Sequence, residues 1–330
     1  MSNTTTARQF WIRAPGRGEI VAAELAPRKA GQVLVRAIYS GISRGTESLV
    51  FRGEVPPSQY RVMRAPFQEG DFPGPVKYGY ASVGEVVEAS PSSDLVGRIV
   101  FCLFPPQDFY CVPAHDVTPV PGSVPTGRAV LAANMESAVT IVWDARPAVG
   151  DRIVVIGAGV LGLLVAWLCR HVPGTVVTVV DLNPERETIA RELDLPFRLE
   201  PPLGADADLV IHASGHPAGL RSALPVAGIE STVVEASWYG SRSVTLPLGE
   251  DFHSRRLTLR SSQVGRIPAD RAPRWTRARR MRLALELLRA SELDVLITGD
   301  SAFEELPAVM TRLSRDPLAG LCHRIRYQRA

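Results

Sequence analysis

The stretch "IVVIGAGVLG", residues 153–162, is an apolar run that breaks into glycines. Ile153 to Ile156 carry no polar side chain, as a strand covered on both faces requires. Gly157, Ala158, Gly159, Val160, Leu161 and Gly162 follow, and then the helical-looking "VLGLLVAWLC". Strand, glycine turn and helix give this spacing a mechanism. Gly157 permits a tight turn, Gly159 lets a phosphate approach the backbone, and Gly162 lets the helix pack close to the strand. The helix N-terminus then offers N–H groups and a partial positive charge to an anion. The glycines also explain the apolar run 153–169. At 17 residues it is short of the roughly 20 a membrane span needs.

Nineteen residues beyond Gly162, the next strand, "TVVTVVDLNPER", ends at Asp181. A carboxylate there can accept both ribose hydroxyls of NAD and would repel the 2′-phosphate of NADP. Asn183 and Arg186 lie just beyond, and Arg186 tempers that preference. The expected cofactor is NAD(H) before NADP(H). A fold of this kind that holds S-adenosylmethionine instead is the competing reading.

Strands and helices alternate outward from this motif. "DADLVIHASG", "STVVEASWYG" and "RRLTLRSSQVG" read as strands, with helices of 10 to 13 residues between. That is a doubly wound parallel sheet of the α/β class. Before residue 135 the character is different. "GQVLVRAIYSG", "YGYASVGEVVEAS", "GRIVFCLF" and "DFYCVPAHDVTPVP" are strands punctuated by Gly and Pro, as in a β barrel. "RWTRARRMRLALELLRAS" ends as an amphipathic helix, "AFEELPAVMTRLSRD" is a last helix and "LCHRIRY" a last strand.

The bulk numbers agree. A chain of 330 residues accommodates two domains, and 45% hydrophobic with 22% charged residues is globular composition. A net charge of +3 implies no general attraction to nucleic acid. Four cysteines without CxxC spacing make no disulfide framework, and "MSNTTTARQFWIRAPG" has no signal-peptide apolar core. A cytoplasmic protein without nucleic-acid or membrane partners is expected.

This order resembles the medium-chain dehydrogenase/reductase superfamily. The resemblance rests on "SGISRGTE", "YGYASVGEVVE", "VGDRIVVIGAGVLGLL", "DLNPER" and "LCHRIRY" and covers nearly the whole chain. It implies a partly open, GroES-like β barrel (1–135 and 293–330) and a Rossmann domain (136–292). "ASWYG", "LGEDFHSRRL" and "SSQVG" resemble a subgroup that includes bacteriochlorophyllide hydroxyethyl dehydrogenase-like oxidoreductases. The family also implies that Arg44 reaches the cofactor pyrophosphate, that Thr140 contacts the nicotinamide, and that the segment 244–263 pairs two copies into a homodimer. Ser214, Ser237 and Ser262 close Rossmann strands, where such sheets bind ligand.

Zinc members of the family place Cys, His and Cys or Glu ligands where this chain has Ser43, Tyr80 and Glu136. One carboxylate does not hold a catalytic zinc, which takes three protein ligands. No zinc is expected. Cys102, Cys111 and His115 read as strand packing residues. His171, His216 and His253 are isolated, and His212 sits on a buried strand near the cofactor crevice.

Without metal, hydrogen-bond donors must stabilise the charge that develops on the substrate oxygen. The candidates are Ser43, Thr46, Tyr80 and Glu136. Gly45 displaces Thr46 by one residue from the family pattern. NAD⁺ or Lys77 is expected to lower the Tyr80 pKa, and Glu47 to orient Thr46 or pair with an arginine. The bland readings stay open: Tyr80 as filler, Ser43 and Thr46 as turn residues, Glu136 as a helix N-terminal carboxylate. The ten arginines from Arg255 to Arg282 are either a solvated, salt-bridged face or a dock for an anionic substrate. The long loop at 50–80 suggests a sizeable small-molecule substrate. Two functions follow. One is a zinc-independent oxidoreductase, acting on alcohol and carbonyl or on an activated C=C bond. The other is a nucleotide-binding sensor or structural protein that kept the fold and lost catalysis.

Overall fold

A computed structural model of the chain describes residues 6–316 and 320–328. The chain divides into two units, Met1–Ala133 with Leu285–Ala330, and Asn134–Ala284. The return to the first unit was expected at 293 and comes at Leu285 instead.

The first unit starts with β1 (Thr6–Ala14), β2 (Arg17–Glu24), β3 (Gln32–Ile42) and helix α1 (Arg44–Phe51). Then come β4 (Glu69–Gly70), β5 (Val76–Lys77), β6 (Ser82–Glu88), β7 (Ile99–Cys102), β8 (Phe109–Pro113) and β9 (Val117–Pro119). β3 is the hub and pairs antiparallel with β6 and β8. Its residues Val33, Leu34, Val35 and Ala37 are buried. The stretch after β3, where Ser43 and Thr46 left a turn open as a reading, folds as α1. Leu49, Val50 and Phe51 explain this: all three are buried, so the segment gains apolar contact by coiling onto the barrel.

The second unit contains most of α2 (Ala132–Ala145), then β10 (Arg152–Ile156), α3 (Val160–Arg170), β11 (Val176–Val180), α4 (Arg186–Glu192) and β12 (Phe197–Arg198). It continues with β13 (Ala207–His212), α5 (Pro217–Ala223), β14 (Ala227–Glu235), β15 (Thr258–Ser261) and the first part of α6 (Arg277–Leu287). The sheet order is β12-β11-β10-β13-β14-β15, and every pair is parallel. The order reverses between β10 and β13, the switch point at which such sheets bind ligand. Ile153, Val155, Val179, Val210, Ile211, Val233 and Val234 are buried, as the uninterrupted apolar strands require.

The chain end returns to the first unit through β16 (Ile297–Ala302), α7 (Leu306–Arg315) and β17 (Cys322–Arg326). β17 pairs antiparallel with β3 and parallel with β16, giving a sheet of order β16-β17-β3-β6-β7-β9 with β8 also on β3. Arg128 braces this segment. Its guanidinium donates to both Asp294 carboxylate oxygens (2.7 and 2.6 Å) and to the carbonyls of Leu288 and Arg289 (both 3.1 Å). Among the described residues no helix is long and apolar enough to cross a membrane.

Candidate active site

The glycine turn of the second unit has the shape a dinucleotide needs. Gly157 has φ +110°, and a Cβ on it would lie 2.6 Å from the Ser214 nitrogen. A Cβ on Gly162 would overlap the Gly157 carbonyl oxygen, so α3 packs on the turn as only glycine allows. A Cβ on Gly159 would meet nothing within 4 Å, so its open side is a cradle. α3 begins at Val160, with Leu161 in its first turn, and no side chain caps its N–H groups.

Asp181 ends β11 and is turned back to this loop. Its carboxylate accepts from the Ala158 N–H (2.7 Å) and the Asn183 N–H (2.9 Å). Each oxygen keeps lone-pair capacity for a ribose hydroxyl. Asn183 is buried and its Nδ2 has no hydrogen-bond partner, an orphan that suits a ligand acceptor. Arg186 is also buried, close enough to Asp181 to feel its charge. These residues fit a nicotinamide dinucleotide.

The ends of β13 and β14 carry a hydrogen-bonded set that sequence reading recovered only in part. His212 is fully buried and stands beside Glu235 in the parallel register. His212 Nδ1 is 2.8 Å from Glu235 Oε2, and Nε2 is 2.6 Å from Ser214 Oγ. Glu235 also accepts from the Ser237 N–H (2.6 Å) and the Tyr239 hydroxyl (2.8 Å), and Ser237 Oγ accepts from the Gly215 N–H (3.0 Å). Burial and the Glu235 charge push the Tyr239 phenol up, so it stays a donor. Ser214 itself is exposed. A polar pair at the last positions of two apolar strands was the signal available for Glu235. Ser262 turns away from this set: its hydroxyl donates to Asp144 at 2.7 Å.

In the first unit, α1 brings the hydroxyls together. Ser43 is its N-cap, Arg44 its first residue and Thr46 lies in its first turn. Tyr80 hydrogen-bonds with the side chains of both Ser43 and Thr46, so the residue displaced by Gly45 still reaches the cluster. Glu47 is buried, and its carboxylate accepts from the Ser43 N–H at 2.8 Å. This is the reach-back of a helix N-terminal carboxylate. Burial pushes Glu47 up to about 8, with the Ser43 N–H pulling it down. No arginine pairs with Glu47 among the contacts that shift it.

One expectation about this cluster is corrected, the lowering of Tyr80 by Lys77: in the protein alone burial, and then the Glu47 charge, raise the phenol well above the ordinary value. Lys77 does not serve it, because the buried ammonium donates to Gln107 Oε1 (2.8 Å) and pairs with Glu69. Tyr80 is therefore a donor and not a base near neutral pH. The aromatic residues Tyr60, Phe72, Tyr78 and Tyr80 follow one another with ring centroids 5.6 to 6.0 Å apart. They make an apolar wall next to the hydroxyls.

Glu136, on α2, is not in solvent at a helix end. It is 5% exposed and accepts from Arg280 Nε at 3.0 Å. Arg280 Nη1 donates to Thr140 Oγ1 (3.0 Å), and Thr140 donates to the Glu136 carbonyl (3.0 Å). Burial pushes the Glu136 carboxyl up, while Arg280 and then Arg277 pull it down. The arginine that does this was hidden in the basic run of α6. Other arginines between Arg255 and Arg282 also have partners within the chain: Arg255 on Ala227, Arg256 on Glu230, Arg260 on Asp144, Arg277 on Gly265, Arg271 over Trp143 and Arg279 over Trp275.

Cys102 packs in the core and Cys111 is half-buried, whereas His115 is exposed on the turn after β8, beside Asp116. Among the described residues no three His, Cys, Asp or Glu side chains come together as a metal site.

No family model matches the chain. It is 26% identical to D-guloside 3-dehydrogenase of Escherichia coli (strain K12) over 302 residues, covering 83% of this chain and 86% of that one. Among solved structures it superposes on RspB of E. coli CFT073, an alcohol dehydrogenase complexed with NADH (TM-score 0.76, 18% identity, 98% of this chain and 99% of that one). It also superposes on a protein of Sinorhizobium meliloti 1021 described as a zinc-binding dehydrogenase, bound to NADP (TM-score 0.77, 16% identity, 98% and 99%).

Proposed function

From the premise that the chain is a member of the medium-chain dehydrogenase/reductase superfamily, we propose a zinc-independent, NAD(H)-preferring oxidoreductase. It interconverts a secondary alcohol and a carbonyl on a sizeable, hydroxyl-bearing substrate. The observation that carries the reading is the donor chemistry of the three former ligand positions. Ser43 and Tyr80 are neutral hydroxyls hydrogen-bonded to each other, and the Glu136 carboxylate is committed to Arg280. That set does not make a site for zinc, which takes three N, S or carboxylate ligands.

The nicotinamide, when bound, gives or takes the hydride. The chain does the rest. The glycine turn, the α3 N-terminus, Asn183 and Asp181 hold the dinucleotide, and the Asp181 charge favours a ribose hydroxyl over a phosphate. Tyr80, kept protonated by burial, donates a hydrogen bond to the substrate oxygen as charge develops there. Ser43 and Thr46 orient the phenol. Glu47, poised near neutrality, holds or releases the balancing proton. The sugar-derivative substrate of the guloside dehydrogenase supports a hydroxyl-bearing substrate here. Pairing of two copies through the β15 edge of the sheet is proposed as an isologous homodimer. A panel of sugar alcohols and ketoses, assayed with NAD⁺ and NADH on chelator-dialysed protein, tests the reading.

A further inference from the structure

We propose that the cavity between α5 and the turn at 247–251 of the second unit is a binding site for a small zwitterion, an amino acid with a short apolar side chain. The site uses none of the residues given above to the dinucleotide or to the hydroxyl cluster, so it stands apart from the oxidoreductase reading.

Three observations carry it. First, the space is built. The cavity measures about 300 Å³, at the lower end of small-molecule pockets. Its walls are held from behind. Leu220, Ala223 and Leu224, on α5 and the turn that follows, lie in one buried core with Val226, Val233 and Leu257, and Leu246 and Phe252 pack the opposite wall against the same core. Arg255 ties the two walls: its guanidinium donates to the Ala227 carbonyl at 2.8 Å and pairs with Asp251 at 3.1 Å. Second, opposite charges are left over on the two walls. Arg221 lines the cavity from α5 and Glu250 from the turn, and both are exposed. Asp251 has Arg255, whereas among the described residues neither Arg221 nor Glu250 has a side-chain partner. They line one cavity and yet stand beyond ion-pair reach of each other, which leaves room for a bridging ligand. Third, the remaining lining suits a short aliphatic body with one polar edge. Leu224, Pro225 and Pro247 are apolar. The Ser222 hydroxyl donates to the Gly219 carbonyl at 2.9 Å and so remains an acceptor for a ligand N–H.

Charge selects the class of ligand. Arg221 and Arg255 balance Glu250 and Asp251, so an occupant of one sign alone would leave one wall unanswered. A ligand carboxylate meets the Arg221 guanidinium, and a ligand ammonium meets the Glu250 carboxylate with the Ser222 oxygen as a second acceptor. Both ends make charge-assisted hydrogen bonds. The apolar lining takes the side chain between them out of water.

The test is calorimetric titration of the full chain with L-leucine, and with 4-methylpentanoate and isopentylamine, which lack its amine and its carboxylate. Expected are saturable binding of L-leucine and binding of each analogue weaker by about tenfold or more. Arg221→Ala and Glu250→Gln, at exposed positions where the fold is not at stake, should each weaken L-leucine by a similar factor and leave Tm unchanged. Backbone amide shifts on adding L-leucine should centre on 218–225 and 247–251. Absence of saturable L-leucine binding overturns the site. Binding that both variants keep places the ligand elsewhere and overturns it as well. An analogue that binds as tightly as L-leucine shows that only one charge is read, and overturns the zwitterion.

Discussion

Arg280 donates through Nε to the Glu136 carboxylate at 3.0 Å, and the two side chains are 3% and 7% exposed. A buried pair of this kind is weak support for stability but costly to break from one side, because the remaining charge has no solvent. Arg280→Ala is therefore expected to destabilise the protein by about 3–5 kcal/mol, and Glu136→Ala similarly. The double variant should lose less than the sum of the two. Urea unfolding of the four proteins checks this, and strict additivity would contradict the pairing.

Glu47 ties stability to pH. Its carboxyl is raised from 4.5 to about 8, so the folded state holds a proton that the unfolded state has already lost. This contribution is complete below about 4.5, falls as pH rises to about 8, and is constant above. The slope within the window is up to about 1.4 kcal/mol per pH unit. Glu47→Gln, which mimics the protonated form, should match wild type in Tm near pH 5 and exceed it near pH 9. Parallel Tm curves across that range would show that Glu47 ionises normally.

Tyr80→Phe removes the donor and leaves the ring. A kcat lower by about 10²–10³ is expected, with NADH binding unchanged. Ser43→Ala and Thr46→Ala should each cost less, because each leaves one hydrogen bond to the phenol. Steady-state kinetics with a fluorescence titration of NADH separates the two effects, and a Tyr80→Phe enzyme of normal kcat would remove the phenol from the chemistry.

Asp181→Ala should weaken NADH binding by more than it weakens NADPH binding, since only NADH offers both ribose hydroxyls to the carboxylate. Equal loss for the two cofactors would place the ribose elsewhere.

The glycine motif, the alternating strands and the barrel were legible because each has a local rule: a spacing, a period or a turn residue. The hydroxyl cluster was legible as a set of replaced ligands. What escaped depends on partners distant in sequence. Arg280 looked like one arginine in a basic run, and nothing local says that it reaches back to Glu136 on α2. The rise of Tyr80, where Lys77 was expected to lower it, follows from burial, which a sequence does not display. Helix α1 was missed because Ser43, Arg44, Gly45 and Thr46 look like a turn, while the apolar Leu49, Val50 and Phe51 that draw it onto the core come after. His212 and Glu235 meet only because the parallel register of β13 and β14 sets their last residues side by side.

The central claim is that hydroxyls and a buried carboxyl do the work of a metal. The most direct measurement is the zinc content of chelator-dialysed protein together with its NADH-linked turnover in the same preparation. The account predicts far less than about one zinc per chain and a turnover that neither chelation nor added zinc changes. About one zinc per chain, or activity lost on chelation and restored by zinc, would contradict it.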